Sequence, residues 1–157
     1  MAKKKWITAA ELMRQLESNP EWVAKRDAKE ARRADREKQL TADEASVVAD
    51  LANVGVIVSS VYEFVGNNLP PPAALPVLVR HLRIDHHPKI REGLIRALSV
   101  PSARVIAFEI LCDIFTKERD PNLRWVTANA LAGMARFEEV KSLSGIEAFA
   151  ALFTGNE

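Results

Sequence analysis

The feature that most constrains this chain is a short segment that occurs twice. HPKIREGLIRAL at 87–98 and DPNLRWVTANAL at 120–131 align without gaps, 33 residues apart. Pro88 matches Pro121, Ile90 matches Leu123, Arg91 matches Arg124, Ala97 matches Ala130 and Leu98 matches Leu131. Each copy sets a proline after a polar turn residue and then repeats apolar side chains at helical spacing. Proline suits the first helical position, where the missing N–H has no partner to lose and φ is already set. The pattern predicts helices from Pro88 and Pro121. Each follows another apolar helix, one within AALPVLVRHLRI at 73–84 and one from Ser102 to about Lys117. A helix pair of this kind cannot bury its apolar face alone, so neighbouring segments must stack on it. Small residues such as Ala97 and Ala130 let the helices approach closely.

The duplicated unit resembles the HEAT and HEAT-like (armadillo-type) repeat family, whose second helix reads V-R-x-x-A-x-x-A-L after an Asp or Pro turn. The resemblance covers about residues 70–136 and lies nearest the short bacterial form. The 33-residue spacing is shorter than the roughly 40–47 residues of ordinary HEAT arrays. The small residue expected three positions after the arginine is Leu94 in one copy and Thr127 in the other. Ankyrin and tetratricopeptide repeats share the period, but neither the TPLH turn nor the Trp-Leu-Gly-Tyr pattern is present.

The resemblance implies an all-α fold, a short right-handed α-α superhelix. In it, Pro88, Arg91, Pro121 and Arg124 serve the scaffold, with Asp85 and Asp120 as acceptors for the arginines. Segments 42–65 and 138–153 would cap the two ends, the latter through Ile146, Phe149, Leu152 and Phe153. Inner helices line the concave, binding face of such solenoids. Trp125 matches Glu92 off the apolar stripe, and Asn129 matches Arg96 on the same ridge. Glu92, Arg96, Trp125 and Asn129 are therefore the expected partner-binding residues, an exposed Trp beside Arg being a typical interface anchor. Trp125 folded onto a terminal helix is the competing reading.

The rest of the chain divides at about residue 40. Residues 1–40 carry 11 Lys or Arg against 7 Asp or Glu, whereas 41–157 carry 11 against 14. Thr8 with Glu11 forms a capping box that opens a first helix. Asn19-Pro20 ends it and starts a charged helix over 20–39, with Glu21 and Lys25 at i,i+4 spacing. This segment reads as a solvated helical extension, the alternative being a basic arm for an acidic partner. A second capping box, TADE at 41–44, predicts a fresh helix ending at Gly55, and Ser60 with Glu63 predicts a brief one through Val65. GNNLPPP must be a loop, because its prolines cannot donate and push their predecessors to extended geometry.

Chemistry is hard to find in this sequence. There is no Walker loop, GxGxxG, GxSxG or HExxH. Cys112, the single cysteine, excludes an internal disulfide and reads as a buried small hydrophobe within AFEILCDIF. His81, His86 and His87 lack ligands at metal-binding spacing, and His87 sits where Asp120 stands in the second copy, a turn position. Acidic neighbours Asp43/Glu44 and Glu138/Glu139 point to different helix sides. The expectation is a non-enzymatic module with no metal, no cofactor and no small-molecule substrate. No apolar run spans a bilayer and the N-terminus lacks a secretory signal, so a cytoplasmic setting is expected.

The expected partner is another protein, as for adaptors or for immunity proteins that plug a toxin's active site. The alternative is nucleic-acid binding related to HEAT-like DNA glycosylases, through Arg91, Arg96, Arg124 and Trp125. The net charge of +1 and sequence pI near 7.9 argue against it, since a nucleic-acid groove needs a strongly basic face.

Overall fold

The computed structural model describes residues 7–134, and all of their regular structure is helical. Six α-helices follow in order: α1 Ala9–Glu17, α2 Pro20–Asn53, α3 Ala74–His81, α4 Pro88–Ala97, α5 Arg104–Lys117 and α6 Pro121–Met134. Short 3-10 turns at Val61–Phe64 and Pro101–Ala103 complete the set. No helix among the described residues is long and apolar enough to cross a membrane. The chain forms two compact units, Met1–Gln39 and Leu40–Glu157. The expected C-terminal cap at 138–153, with Glu138 and Glu139, lies outside the described residues.

In the first unit, the Thr8 hydroxyl accepts from Glu11 N at 3.2 Å and starts α1. Asn19 Oδ1 then accepts from Glu21 N and Trp22 N, capping α2 with Pro20 at its first position. No α1 residue is buried. Lys25 pairs with Glu21 at 2.7 Å, but both side chains are largely solvated and the pair contributes little.

The sequence pattern predicts a helix end near residue 39 and a new start at Thr41, but α2 runs unbroken from Pro20 to Asn53. No Gly or Pro lies between Gln39 and Asp43. A capping box starts a helix only where the preceding backbone has already left helical geometry. Glu44 is instead buried and works at long range: its carboxylate accepts from Ser60 Oγ at 2.9 Å and from Val61 N at 2.7 Å. The end of α2 is as expected. Gly55 takes φ +80, and Val56 N returns to Leu51 O at 3.0 Å.

The second unit builds its core on Val47 and Leu51 of α2, joined by Val61 and Phe64 of the first 3-10 turn. Ser60 caps that turn by accepting from Tyr62 N, while Glu63 accepts from the hydroxyl and N–H of Ser59. Those bonds hold the Glu63 carboxyl below its ordinary range, the hydroxyl bond first. Leu75 and Leu78 of α3, Ile90, Leu94 and Ile95 of α4, Leu111 and Phe115 of α5, and Leu123, Val126 and Leu131 of α6 fill the remainder. α3 packs on α4 and on α5, α5 on α6, and α4 on α6 and on the Val61–Phe64 turn.

Pro88 and Pro121 both occupy the first position of their helices. His87 Nδ1 accepts from Lys89 N, and Asp120 Oδ1 accepts from Asn122 N and Leu123 N, so the matched turn residues do the same work. Leu94 and Thr127, where the pattern departs from a small residue, are both buried, and Thr127 Oγ1 donates to Leu123 O within its own helix.

Candidate functional site

The four residues expected to contact a partner do not behave alike. Trp125 is 50% exposed on α6, and Asn129 one turn further on is also exposed. Arg96 is half-buried on α4, with its guanidinium 6.0 Å from the centre of the Trp125 ring.

Glu92 is the correction. It is only 7% exposed and serves as the hub beneath the others. Its carboxylate accepts from Arg96 Nε at 2.8 Å, from Lys89 Nζ at 3.0 Å and, more weakly, from Asn122 Nδ2 at 3.4 Å. Burial by itself would raise the Glu92 carboxyl, but Lys89 and Arg96 outweigh it and hold the group below its ordinary range. Reciprocally, the bond to Glu92 pushes Lys89 upward. Glu92 therefore fixes the direction of Arg96 toward Trp125. It is buried beneath the ridge rather than exposed on it, bonded to three cationic or amide side chains.

Beside this cluster lies an open groove of about 280 Å³, lined by Phe64, Val65, Leu69, Arg96, Val100 and Asn129. Leu69, from the proline loop, is 64% exposed at its edge. Arg96 and Asn129 thus reach the groove from α4 and α6. No sequence pattern pointed to the loop residues, because a loop after GNNLPPP carries no periodicity to place its side chains.

The scaffold arginines also take unexpected partners. Arg91 Nη1 pairs with Glu118 Oε2 at 3.1 Å, not with Asp85. Glu118 lies 27 residues away at the end of α5, and its other oxygen accepts from Arg119 N and Asp120 N. Arg124 stacks its guanidinium over Phe115 at 5.3 Å, while Asp120 is occupied with capping α6. Cys112 is half-buried rather than buried, and burial together with Glu109 raises its thiol above the ordinary range. Tyr62 packs against the core with its hydroxyl donating to Lys89 O at 2.8 Å.

A second cluster escaped sequence reasoning. His81 and His86 touch each other and reach Asp50 and Asp43 of α2 across 31 and 43 residues. The available signal was that Asp43 and Asp50 lie two turns apart on one face of a helix, while His81 continues the apolar stripe of α3. Among the described residues, no three His, Cys, Asp or Glu side chains could together hold a metal ion.

Comparison with protein-family profiles, with curated proteins and with solved structures returned no match for this chain.

Proposed function

We propose that this protein is a non-enzymatic, HEAT-like protein-binding module that engages its partner through the ridge and groove formed by Arg96, Trp125, Asn129 and Leu69. The observation that carries the reading is a half-exposed tryptophan beside an arginine whose orientation is fixed by a buried carboxylate. A large aromatic ring already held in place binds with little further loss of freedom, which is why Trp and Arg dominate interface energetics.

The repeat reading draws support from which helices meet. The first helices of the two repeats, α3 and α5, pack on each other, as do the second helices, α4 and α6. That like-on-like stacking is the arrangement a short α-α superhelix requires, and it would place α4 and α6 on the concave side. Adaptors and toxin-neutralising immunity proteins are the roles such a surface suits, in a cytoplasmic setting.

The nucleic-acid reading ranks below this one because it needs uncommitted guanidinium groups. Arg91 is engaged by Glu118, and Arg96 is tied to the Glu92 carboxylate that it shares with Lys89. Affinity capture from the native host followed by mass spectrometry tests the reading. A stoichiometric protein partner is expected; recovery of nucleic acid alone would sink it.

A further inference from the structure

The chain of hydrogen bonds through the two buried histidines fixes how many protons it must hold. Asp50 Oδ2 lies 2.9 Å from His81 Nε2, His81 Nδ1 lies 3.0 Å from His86 Nε2, and His86 Nδ1 lies 3.2 Å from Asp43 Oδ1. All four ring nitrogens are used. His81 is 1% and His86 6% exposed, so water does not replace any of these contacts.

Carboxylates only accept, so each outer ring nitrogen donates to its aspartate. Two neutral imidazoles would then have spent both their protons, leaving two lone pairs facing each other across 3.0 Å. Two imidazolium ions would put two N–H groups in the same place. One shared proton in the middle, with one ring charged and one neutral, satisfies every group.

The charges surrounding the pair agree with that count. Asp43 and Asp50 face it from α2, and Arg80 of α3 places Nη2 2.6 Å from Asp50 Oδ2. The turn before α4 contributes the His87 N–H, 2.7 Å from Asp43 Oδ2, while the His87 ring is committed to Lys89 N. Glu44, beside Asp43, is committed to Ser60 and Val61. Two carboxylates, one guanidinium and one imidazolium sum to zero. Both carboxyls are also held below their ordinary range: Asp50 by His81 first and then Arg80, and Asp43 by His87 N–H and His86 against the opposing effect of burial.

We propose that Asp50, His81, His86 and Asp43 form a one-proton latch that ties α2 to α3 and to the start of α4 and is opened by either gain or loss of a proton. The sign follows from linkage. In the unfolded chain the two histidines together hold two extra protons well below about pH 6.5, one near it and none well above it. The closed latch holds one, and a proton gained or lost opens it. Stability therefore rises with pH on the acid side, falls on the alkaline side and peaks near pH 6.5, each arm approaching about tenfold per pH unit in the unfolding constant.

The chain contains three histidines, so a direct test is tractable. Histidine side-chain ¹⁵N–¹H NMR on the full chain between about pH 5.5 and 8 should find one imidazolium and one imidazole joined by a shared, strongly deshielded proton. Two neutral rings at neutral pH, or two rings titrating independently, would overturn the proposal. Urea unfolding over the same range should give the two-sided profile for the native chain. His86→Gln, whose amide has no titrating proton, should lose it; an unchanged profile in that variant also overturns the latch. If His86→Gln does not fold, the NMR result on the native chain decides alone.

Discussion

Gly93 offers the sharpest test of how α4 is seated. A Cβ added there would lie 2.6 Å from Val61 Cγ2 and 2.9 Å from Tyr62 Cε2, both far inside ordinary contact. Neither neighbour yields cheaply. Val61 is fully buried and β-branched, in a turn whose N–H is held by Glu44, and the Tyr62 hydroxyl is anchored on Lys89 O. Overpacking of this kind costs about 1–3 kcal/mol, against which alanine returns about 1 kcal/mol of helix propensity. With two contacts under 3.0 Å the cost falls in the upper part of that range, about 2–3 kcal/mol, so Gly93→Ala should lose about 1–2 kcal/mol net. Gly133 supplies the control, because among the described residues a Cβ there meets nothing nearer than Ser99 O at 3.9 Å. Gly133→Ala lies in the last turn of α6 and should gain up to about 1 kcal/mol. Urea unfolding followed by far-ultraviolet circular dichroism reads both as midpoint shifts at constant slope. If Gly93→Ala matched or exceeded the native protein in stability, the close packing of the Val61–Phe64 turn on α4 would be refuted.

The cap, the buried carboxylate and the ridge tryptophan give further outcomes. Asp120→Ala removes the acceptor for Asn122 N and Leu123 N and should cost about 1 kcal/mol in urea unfolding. Glu92→Gln weakens the links to Lys89 and Arg96 and should cost roughly 1–3 kcal/mol at neutral pH. Because the Glu92 carboxyl is depressed in the folded chain, its contribution is complete above about pH 4.3 and fades as pH falls through the folded value. An acid titration of stability should accordingly be shallower in Glu92→Gln than in the native protein. Trp125→Ala, at a half-exposed position, should change stability by less than about 0.5 kcal/mol while weakening partner capture.

How far the sequence could be read depended on the range of the interaction. Thr8, Ser60, Asp120 and the two prolines act within three residues of themselves, and their roles were legible. Glu44 carries the same local signature as Glu11 yet bonds across 16 and 17 residues, so TADE misled. Arg91 likewise passed over nearby Asp85 for Glu118, which only the packing of α4 on α6, and of α6 on α5, brings into reach. Off-stripe position correctly exposed Trp125 but failed for Glu92, since a helix wheel cannot register the pull of Lys89, Arg96 and Asn122. The histidine cluster joins α2 to α3 across the whole intervening loop, and no periodicity spans that distance.

Trp125 and Arg96, held by Glu92, are the proposed binding surface. The most direct measurement is calorimetric titration of the captured partner against the native chain and against Trp125→Ala. The expected loss is at least about 2 kcal/mol, roughly thirtyfold in affinity, with the fold of the variant intact by circular dichroism. Equal affinity for the two proteins would contradict it.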